Sequence, residues 1–395
     1  MNKQEKQLLF FLPVLNLLCG VSIDSYSPAL PDVANYFSTS SSMAQSTITI
    51  MIVGFAIGQF VFGFLSDLYG RHKTIILSLI IYILATVLIL CTKSILALIV
   101  LRFIQGIMCG SFAVNSRAVA MDKFKGHSFK LVIVYLSLAW GIGPIISPYL
   151  GGVLVTYFNW QAIFIVTLIY AIILLVASIK LIDRKICGSK QLSDYINISR
   201  EIIIDKEFIS RTGILGLCFS QAVIFNITAP FWSVNIFKQL PDAFGLAALI
   251  SGLGYFVGTL VNKQLINKVA CNKLILFGLT IGSMSSLIFS FVSYESIYTV
   301  ALTVAAINFG SGFIFANIMA ENMSRFCNYG GVFSALQGSI TIIIGFAIAL
   351  AVSFLNQPTI SNIGAVYLLV SVMQIFLFIK IMYSRSMYRI IFEKI

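Results

Sequence analysis

Gly63-Phe64-Leu65-Ser66-Asp67-Leu68-Tyr69-Gly70-Arg71-His72-Lys73 separates two long apolar runs, one beginning near position 44 and the other running on from Thr74. Each run has the roughly 20 residues an α-helix needs to cross the ~30 Å hydrocarbon core of a bilayer. The join holds one acid, two unambiguous bases and glycines at both ends, so it reads as a tight polar turn between two antiparallel membrane helices.

The rest of the chain repeats that pattern. Of its 395 residues, 59% are hydrophobic and 10% are charged, against about 25% charged in an average soluble domain. The mean hydropathy is +0.97, so most of the surface must face lipid rather than water. Twelve apolar runs begin near positions 8, 44, 74, 95, 131, 162, 208, 245, 274, 298, 331 and 360. Together they use roughly 240 residues, and what remains is short connections. One connection is longer: 183–207 carries ten charged residues in 25 and divides the chain into bundles 1–182 and 208–395. The fold class is therefore all-α and polytopic, with twelve transmembrane helices arranged six plus six.

The net charge of +12 does not point to nucleic acid, because the bases lie in short loops where they set topology. With a cytoplasmic N-terminus, Lys93 and Lys238 face outward and Arg102 lies within a span, which leaves 23 of the 26 Lys and Arg residues in cytoplasmic segments. Both termini are then cytoplasmic. The first run follows Lys3 and Lys6 but is too long for a signal peptide and has no A-x-A site, so it reads as an uncleaved helix. Seven cysteines form no C-x-x-C or disulfide framework, and His72 and His127 have no partners at ligand spacing. No metal or cofactor is expected. No phosphate loop or nucleophile constellation rises above chance, which argues against an enzyme or a built-in ATP motor.

An internal echo supports two similar halves: Gly63-x-x-x-Asp67 ends the second span and Gly258-x-x-x-Asn262 the eighth, each before a basic loop. Halves of this kind suit a transporter with its site near the midplane.

The segment Gly63 to Lys73 resembles the loop signature of the major facilitator superfamily, with Leu68 at a position that is usually basic. The resemblance implies a conformational latch built from Gly63, Asp67, Gly70 and Arg71. Leu98-x-x-x-Arg102-x-x-Gln105-Gly106-x-x-x-Gly110 in the fourth span is similar to a second signature of the same superfamily. Arg102 is the base placed inside the membrane. A charge there costs about 2.5 to 3.5 kcal/mol on insertion scales, so it should face the bundle interior.

Asp24 is the acid inside the first span, within Asp24-x-Tyr26-x-Pro28-Ala29-Leu30-Pro31. That run resembles the Bcr/CflA type of drug:proton antiporter. At ~1.5 Å per residue, Asp24 lies about 6 Å and Arg102 about 10 Å below the outer edge of the core, depths at which the two can pair. The fifth span adds Gly143-x-x-x-Ser147-Pro148-x-x-Gly151-Gly152, similar to an antiporter signature with Ser147 in place of a glycine. Asn159-Trp160-Gln161 resembles the turn into the sixth span. Gly254-x-x-x-Gly258 and Gly331-x-x-Ser334-Ala335-x-x-Gly338 resemble the eighth and eleventh, while Phe315-Ala316-Asn317 departs from a Pro-Asn pair in the tenth.

The resemblance implies a monomeric multi-pass protein of the bacterial cytoplasmic membrane that exports drugs or drug-like metabolites in exchange for protons, with the proton gradient as its energy source. Asp24 and Arg102 are the expected coupling residues: burial favours the neutral carboxyl, and a nearby guanidinium favours the charged one. Asn16, Gln105, Trp140, Gln221, Asn226, Trp232, Asn308 and Gln337 are candidate substrate ligands, as uncharged polar and aromatic groups suit lipophilic cations and neutral drugs. A carrier of the same fold dedicated to one metabolite, exporter or importer, is the alternative.

Overall fold

The computed structural model describes residues 3–124, 126–182, 192–266, 268–292, 294–326, 330–355 and 359–392. These residues are helical almost throughout. The helices are α1 Lys3–Asp24, α2 Leu30–Tyr36, α3 Ser41–Tyr69, α4 Arg71–Cys91, α5 Ile95–Lys123, α6 Gly126–Tyr157, α7 Gln161–Leu181, α8 Leu192–Ile204, α9 Lys206–Phe231, α10 Pro241–Leu265, α11 Cys271–Phe291, α12 Ile297–Arg325, α13 Gly330–Ser353 and α14 Ile360–Phe392. Among the described residues, eleven helical segments are long and apolar enough to cross a membrane. The expected span near 131 falls in α6, many of whose side chains lie outside the described residues.

Local chemistry accounts for the breaks. Pro28 has no N–H to give the carbonyl of Asp24, so α1 stops there, and the 3₁₀ turn Ser27–Ala29 leads into α2. Pro230 likewise removes the donor for the carbonyl of Asn226, and α9 widens into a π-helical turn at Trp232–Ile236. The Ser40 hydroxyl accepts from the Met43 amide at 3.2 Å and starts α3. Gly70, at φ 87°, makes the reversal between α3 and α4, a conformation that favours glycine.

The chain divides into two compact units, one comprising Met1–Tyr195, Asn226–Leu249 and Ser353–Gln357, the other Ile196–Phe225, Ile250–Val352 and Pro358–Ile395. In the first unit α3 packs along α5 with backbones in contact. A Cβ on Gly54 or Gly58 would overlap the carbonyls of Phe103 or Ile107, and one on Gly106 the carbonyl of Met51. The second unit repeats the device: Gly254 and Gly258 of α10 lie against the carbonyls of Ala305 and Phe309 of α12. Its core gathers Ile214, Leu215 and Cys218 of α9 with Ile275 and Leu279 of α11, Ile314 and Ile318 of α12 and Phe378 of α14.

Outer faces are apolar. On α7, Ile163, Phe164, Ala171 and Leu174 are buried, while Ile165, Ile169, Ile172, Ile173, Val176 and Ile179 are exposed. Such a stripe would drive aggregation in water and is the natural surface of a helix against lipid. The charged stretch after α7 also holds a helix that the sequence pattern did not suggest, α8.

Candidate functional site

Asp24 closes α1 and Arg102 lies about two turns into α5, both in the first unit. They are 8% and 1% exposed. Among the described residues no ion pair joins them. Arg102 Nη1 donates to the carbonyl of Ser22 at 3.0 Å and to Gln105 Oε1 at 3.1 Å. Its Cζ sits 4.5 Å from the centre of the Tyr26 ring and 5.7 Å from that of Phe164. The charge is thus met by a ring face, a backbone dipole and an amide, while Nε and Nη2 have no partner among the described residues. Gln105 is held in turn by donating to Thr86 Oγ1 at 2.8 Å, and Ser22 Oγ meets the Tyr82 hydroxyl at 2.6 Å. Tyr26 accepts from Thr47 Oγ1 at 3.2 Å. These bonds hold Arg102 in place without a carboxylate.

The carboxyl of Asp24 has a different partner. Asn226 Nδ2 donates to Asp24 Oδ1 at 3.2 Å, and the Asn226 carbonyl, left without a helical donor by Pro230, accepts from Ser27 Oγ. Asn226 belongs to the same unit as Asp24, although it lies in α9.

At the α3–α4 turn, Arg71 pairs with Asp67 and donates to Ser66 Oγ, and its Nε reaches Asp122 Oδ2 of α5 at 3.1 Å. Arg71 is therefore clamped between two acids on two helices. Gly63 lies two turns back on α3 and Gly70 is the turn itself. Leu68, at the usually basic position, is exposed.

The small residues of α6 give closeness. A Cβ on Gly151 would overlap the carbonyl of Ser25, and one on Gly152 would come within 2.9 Å of Pro241 O and Asp242 Cα. Gly143 faces Gly20 of α1. Pro148 presents its carbonyl to Gly245, and Ser147 is buried beside it. The motif thus brings α6 against α1 and α10, and the amide of Asp242 donates to Thr156 Oγ1 at 3.2 Å.

Among the remaining candidate ligands, Asn16 is buried on α1 with Oδ1 unpartnered among the described residues, and Trp232 is buried in the π turn. The side chain of Trp140 lies outside the described residues. Gln221, Asn308 and Gln337 belong to the second unit. Gln221 donates to Ser371 Oγ at 3.3 Å, Asn308 to the Ser251 carbonyl at 3.1 Å, and Gln337 to Met319 Sδ at 2.8 Å. The structure therefore gathers Asp24, Asn226, Arg102 and Gln105 around one end of α1, while Gln221, Asn308 and Gln337 are members of the second unit.

Three features escaped the sequence reading. Arg117, counted there as a loop base, lies within α5 and donates to Gln59 Oε1 of α3 at 2.9 Å. Arg211, counted likewise, is 3% exposed inside α9. It pairs with Glu207 at 2.7 Å and Glu321 of α12 at 2.9 Å, while Arg325 joins Asp205 at 2.5 Å and also Glu207. The i,i+4 spacing of Glu207 and Arg211 was the available signal. Third, Asn262, the C-half echo of Asp67, is bonded to Asn317 of α12, Asn317 Nδ2 donating to Asn262 Oδ1 at 2.7 Å.

Removing one member of a buried ion cluster leaves the others uncompensated, a loss of about 3 to 5 kcal/mol where burial is full and less at these part-exposed acids. Arg211→Ala is therefore expected to lower the thermal unfolding midpoint of purified protein clearly more than Arg325→Ala, whose guanidinium is 42% exposed. Equal midpoints for the two variants would contradict the assignment of Arg211 as the centre of the cluster.

No group of three or more His, Cys, Asp or Glu residues able to hold a metal occurs among the described residues. Among the described residues, eleven long apolar helical segments, with charged side chains buried among the helices of each unit, are the build of a multi-pass membrane protein. The Major Facilitator Superfamily model matches residues 14–349, and the chain belongs to that family. It is 24% identical over 392 residues to the uncharacterized MFS-type transporter YdgK of Bacillus subtilis, covering 94% of each chain. It is 23% identical over 367 residues to a bicyclomycin resistance protein homolog of Haemophilus influenzae, covering 91% of this chain and 92% of that one. With the chloramphenicol resistance protein CraA of Acinetobacter baumannii it shares 26% over 267 residues, 67% of this chain and 65% of the other. The crystal structure of a D-xylose-proton symporter superposes with a TM-score of 0.73 at 14% identity, over 95% of this chain and 96% of that one, a likeness of fold. The protein is a secondary transporter for small molecules and not an enzyme.

Proposed function

We propose that the protein is a proton-coupled exporter of drugs or drug-like metabolites, of the Bcr/CflA type, working by alternating access in the bacterial cytoplasmic membrane with both termini cytoplasmic. The observation that carries this reading is a buried carboxyl, Asp24, and a buried guanidinium, Arg102, in one unit but not paired with each other. A static packing pair would be closed. A buried acid with no counter-charge bonded to it among the described residues can alternate between a charged form and a protonated one, which is what exchange of a proton for a substrate needs. The names of the relatives in Haemophilus and Acinetobacter support drugs as the substrate class.

In this reading the proton enters from the outer side onto Asp24, and no cofactor is needed because its inward fall drives the cycle. Arg102 biases Asp24 toward the carboxylate whenever the two approach. The Asp67–Arg71–Asp122 cluster is the latch, and the Gly143, Ser147, Pro148, Gly151 and Gly152 stripe keeps α6 close to α1 and α10. Asn16, Gln105, Trp140 and Trp232 are the proposed substrate contacts in the first unit, and Gln221, Asn308 and Gln337 those in the second. The working form is a monomer.

The test is uptake of a panel of lipophilic cationic and neutral drugs into inverted membrane vesicles made acid inside. At least one compound should accumulate, and a protonophore should abolish the accumulation. Accumulation that survives the protonophore, or none with any compound in vesicles holding folded protein, would remove the reading and favour a carrier dedicated to one metabolite.

A further inference from the structure

Asn226 of α9 holds Asp24 of α1 across 202 positions of sequence, and it also holds Ser27 in the turn that follows. Its side-chain amide donates to the carboxylate at 3.2 Å, and its main-chain carbonyl takes the Ser27 hydroxyl. The second bond exists because Pro230, four residues on, cannot donate to that carbonyl. Asn226 is also the residue at which α9 changes membership: Ile196–Phe225 lie in the second unit, and Asn226–Leu249 lie in the first. The two hydrogen bonds therefore sit where the chain enters the first unit, immediately before the π turn at Trp232–Ile236.

We infer that Asn226 is a positioning residue for Asp24, fastening the Asn226–Leu249 segment to the end of α1 when the carboxylate is free and releasing it when Asp24 carries a proton. The inference rests on the reading of Asp24 as the proton-coupling acid. An amide bond to a carboxylate is charge-assisted and about twice as strong as one to a neutral group. When the proton binds, an O–H bond forms on Asp24, its charge is lost, and the amide of Asn226 is left with the weaker acceptor.

Among the described residues, the other groups near this end leave the role to Asn226. Arg102 of α5 is engaged by Ser22, Gln105 and the Tyr26 ring. From α6 the neighbour is the backbone of Gly143, whose Cα would lie 3.8 Å from a Cβ on Gly20, a distance shared by Asp24 Oδ2. From α7 it is the uncharged Phe164, against Tyr26. The inferred role of Asn226 is exercised through Asp24, whereas the role expected from sequence was contact with substrate.

Hydrogen–deuterium exchange of the full-length protein in lipid nanodiscs tests this, read over Thr228–Lys238 with Cys271–Phe291 as the internal reference. Asn226→Leu, and Asn226→Asp, which sets two carboxylates face to face, should each raise exchange in the first segment by about tenfold and leave the second unchanged. The exchanged pair, Asp24→Asn with Asn226→Asp, restores an amide facing a carboxylate and should bring exchange back to within about twofold of wild type. In transport, Asn226→Leu should lower the maximum rate about tenfold with KM within about twofold, and Asn226→Gln, which keeps the donor, should recover most of it.

Unchanged exchange in Asn226→Leu, or no recovery in the exchanged pair, would overturn the inference. So would a raised KM with the rate unaffected, the signature of a substrate ligand. Failure of the underlying reading looks different: Asp24→Asn would keep proton-coupled transport whatever the exchange pattern. If Asn226→Leu does not fold, Asn226→Ser, whose hydroxyl is too short to reach, takes its place in each comparison.

Discussion

Asp24→Asn is expected to yield a folded transporter that still lets substrate equilibrate but no longer concentrates it. The replacement is isosteric and stands for the protonated acid, whose weaker bond to Asn226 Nδ2 belongs to the working cycle, so the fold itself has no reason to fail. What disappears is the ability to bind and release a proton. One proton exchanged for one neutral substrate across a pH difference of about two units supports roughly a hundredfold gradient, because each unit is worth about 1.4 kcal/mol. The variant should show a ratio near one, with exchange of labelled for unlabelled substrate within a few-fold of wild type. Arg102→Ala should be less selective in its damage. It leaves Ser22 O, Gln105 and the Tyr26 ring without the group they surround.

Gly106→Val is expected to cost the folded protein itself. A Cβ at this position falls on the carbonyl of Met51, a backbone atom that cannot rotate aside, and Gly110 faces Phe55 O and the Gln59 amide one turn further along the same seam. The helices α3 and α5 would have to separate along a contact built on four glycines, which exceeds the 1 to 3 kcal/mol typical of overpacking because two backbones must move rather than one side chain. Gly282→Ala is the matched control: nothing lies within 4 Å of a Cβ there, and alanine gains roughly 0.5 to 1 kcal/mol over glycine within a helix. The yield of monodisperse protein after detergent extraction should collapse for the first and hold or rise for the second. Comparable yields would refute the close backbone contact of α3 and α5.

The membrane helices were readable because each is a long apolar run ended by glycine, proline or charge, and lipid imposes that pattern without reference to any neighbour. Asp24 and Arg102 stood out for the same reason, as ionised groups in apolar surroundings. Their partners did not. Depth counting places the two close enough to pair, yet it cannot see that Tyr26, two residues beyond Asp24, turns its ring face to the guanidinium, or that an asparagine 202 residues away takes the carboxyl. Side chains 202 residues apart meet through tertiary packing, and one sequence has no periodicity that records it.

The misplaced bases share one cause. Arg117 and Arg211 count as loop bases because they follow or precede charged connections, whereas both lie inside helices and are met laterally, Arg117 by the uncharged amide of Gln59 and Arg211 by the acids Glu207 and Glu321. The prolines were more informative than they first looked. Pro28 and Pro230 each free a carbonyl four residues back, Asp24 and Asn226 respectively, and these two residues are the ones hydrogen-bonded to each other. A search for i−4 positions of intramembrane prolines would have flagged both.

The most direct test of the central claim, that a proton taken by Asp24 drives substrate outward, is the pH inside inverted vesicles energised to be acid within, followed as an accumulated drug is added. Wild type should release protons at once and in proportion to the substrate moved, and Asp24→Asn at matched membrane expression should release none. Equal proton release from both proteins would contradict the claim that Asp24 carries the proton.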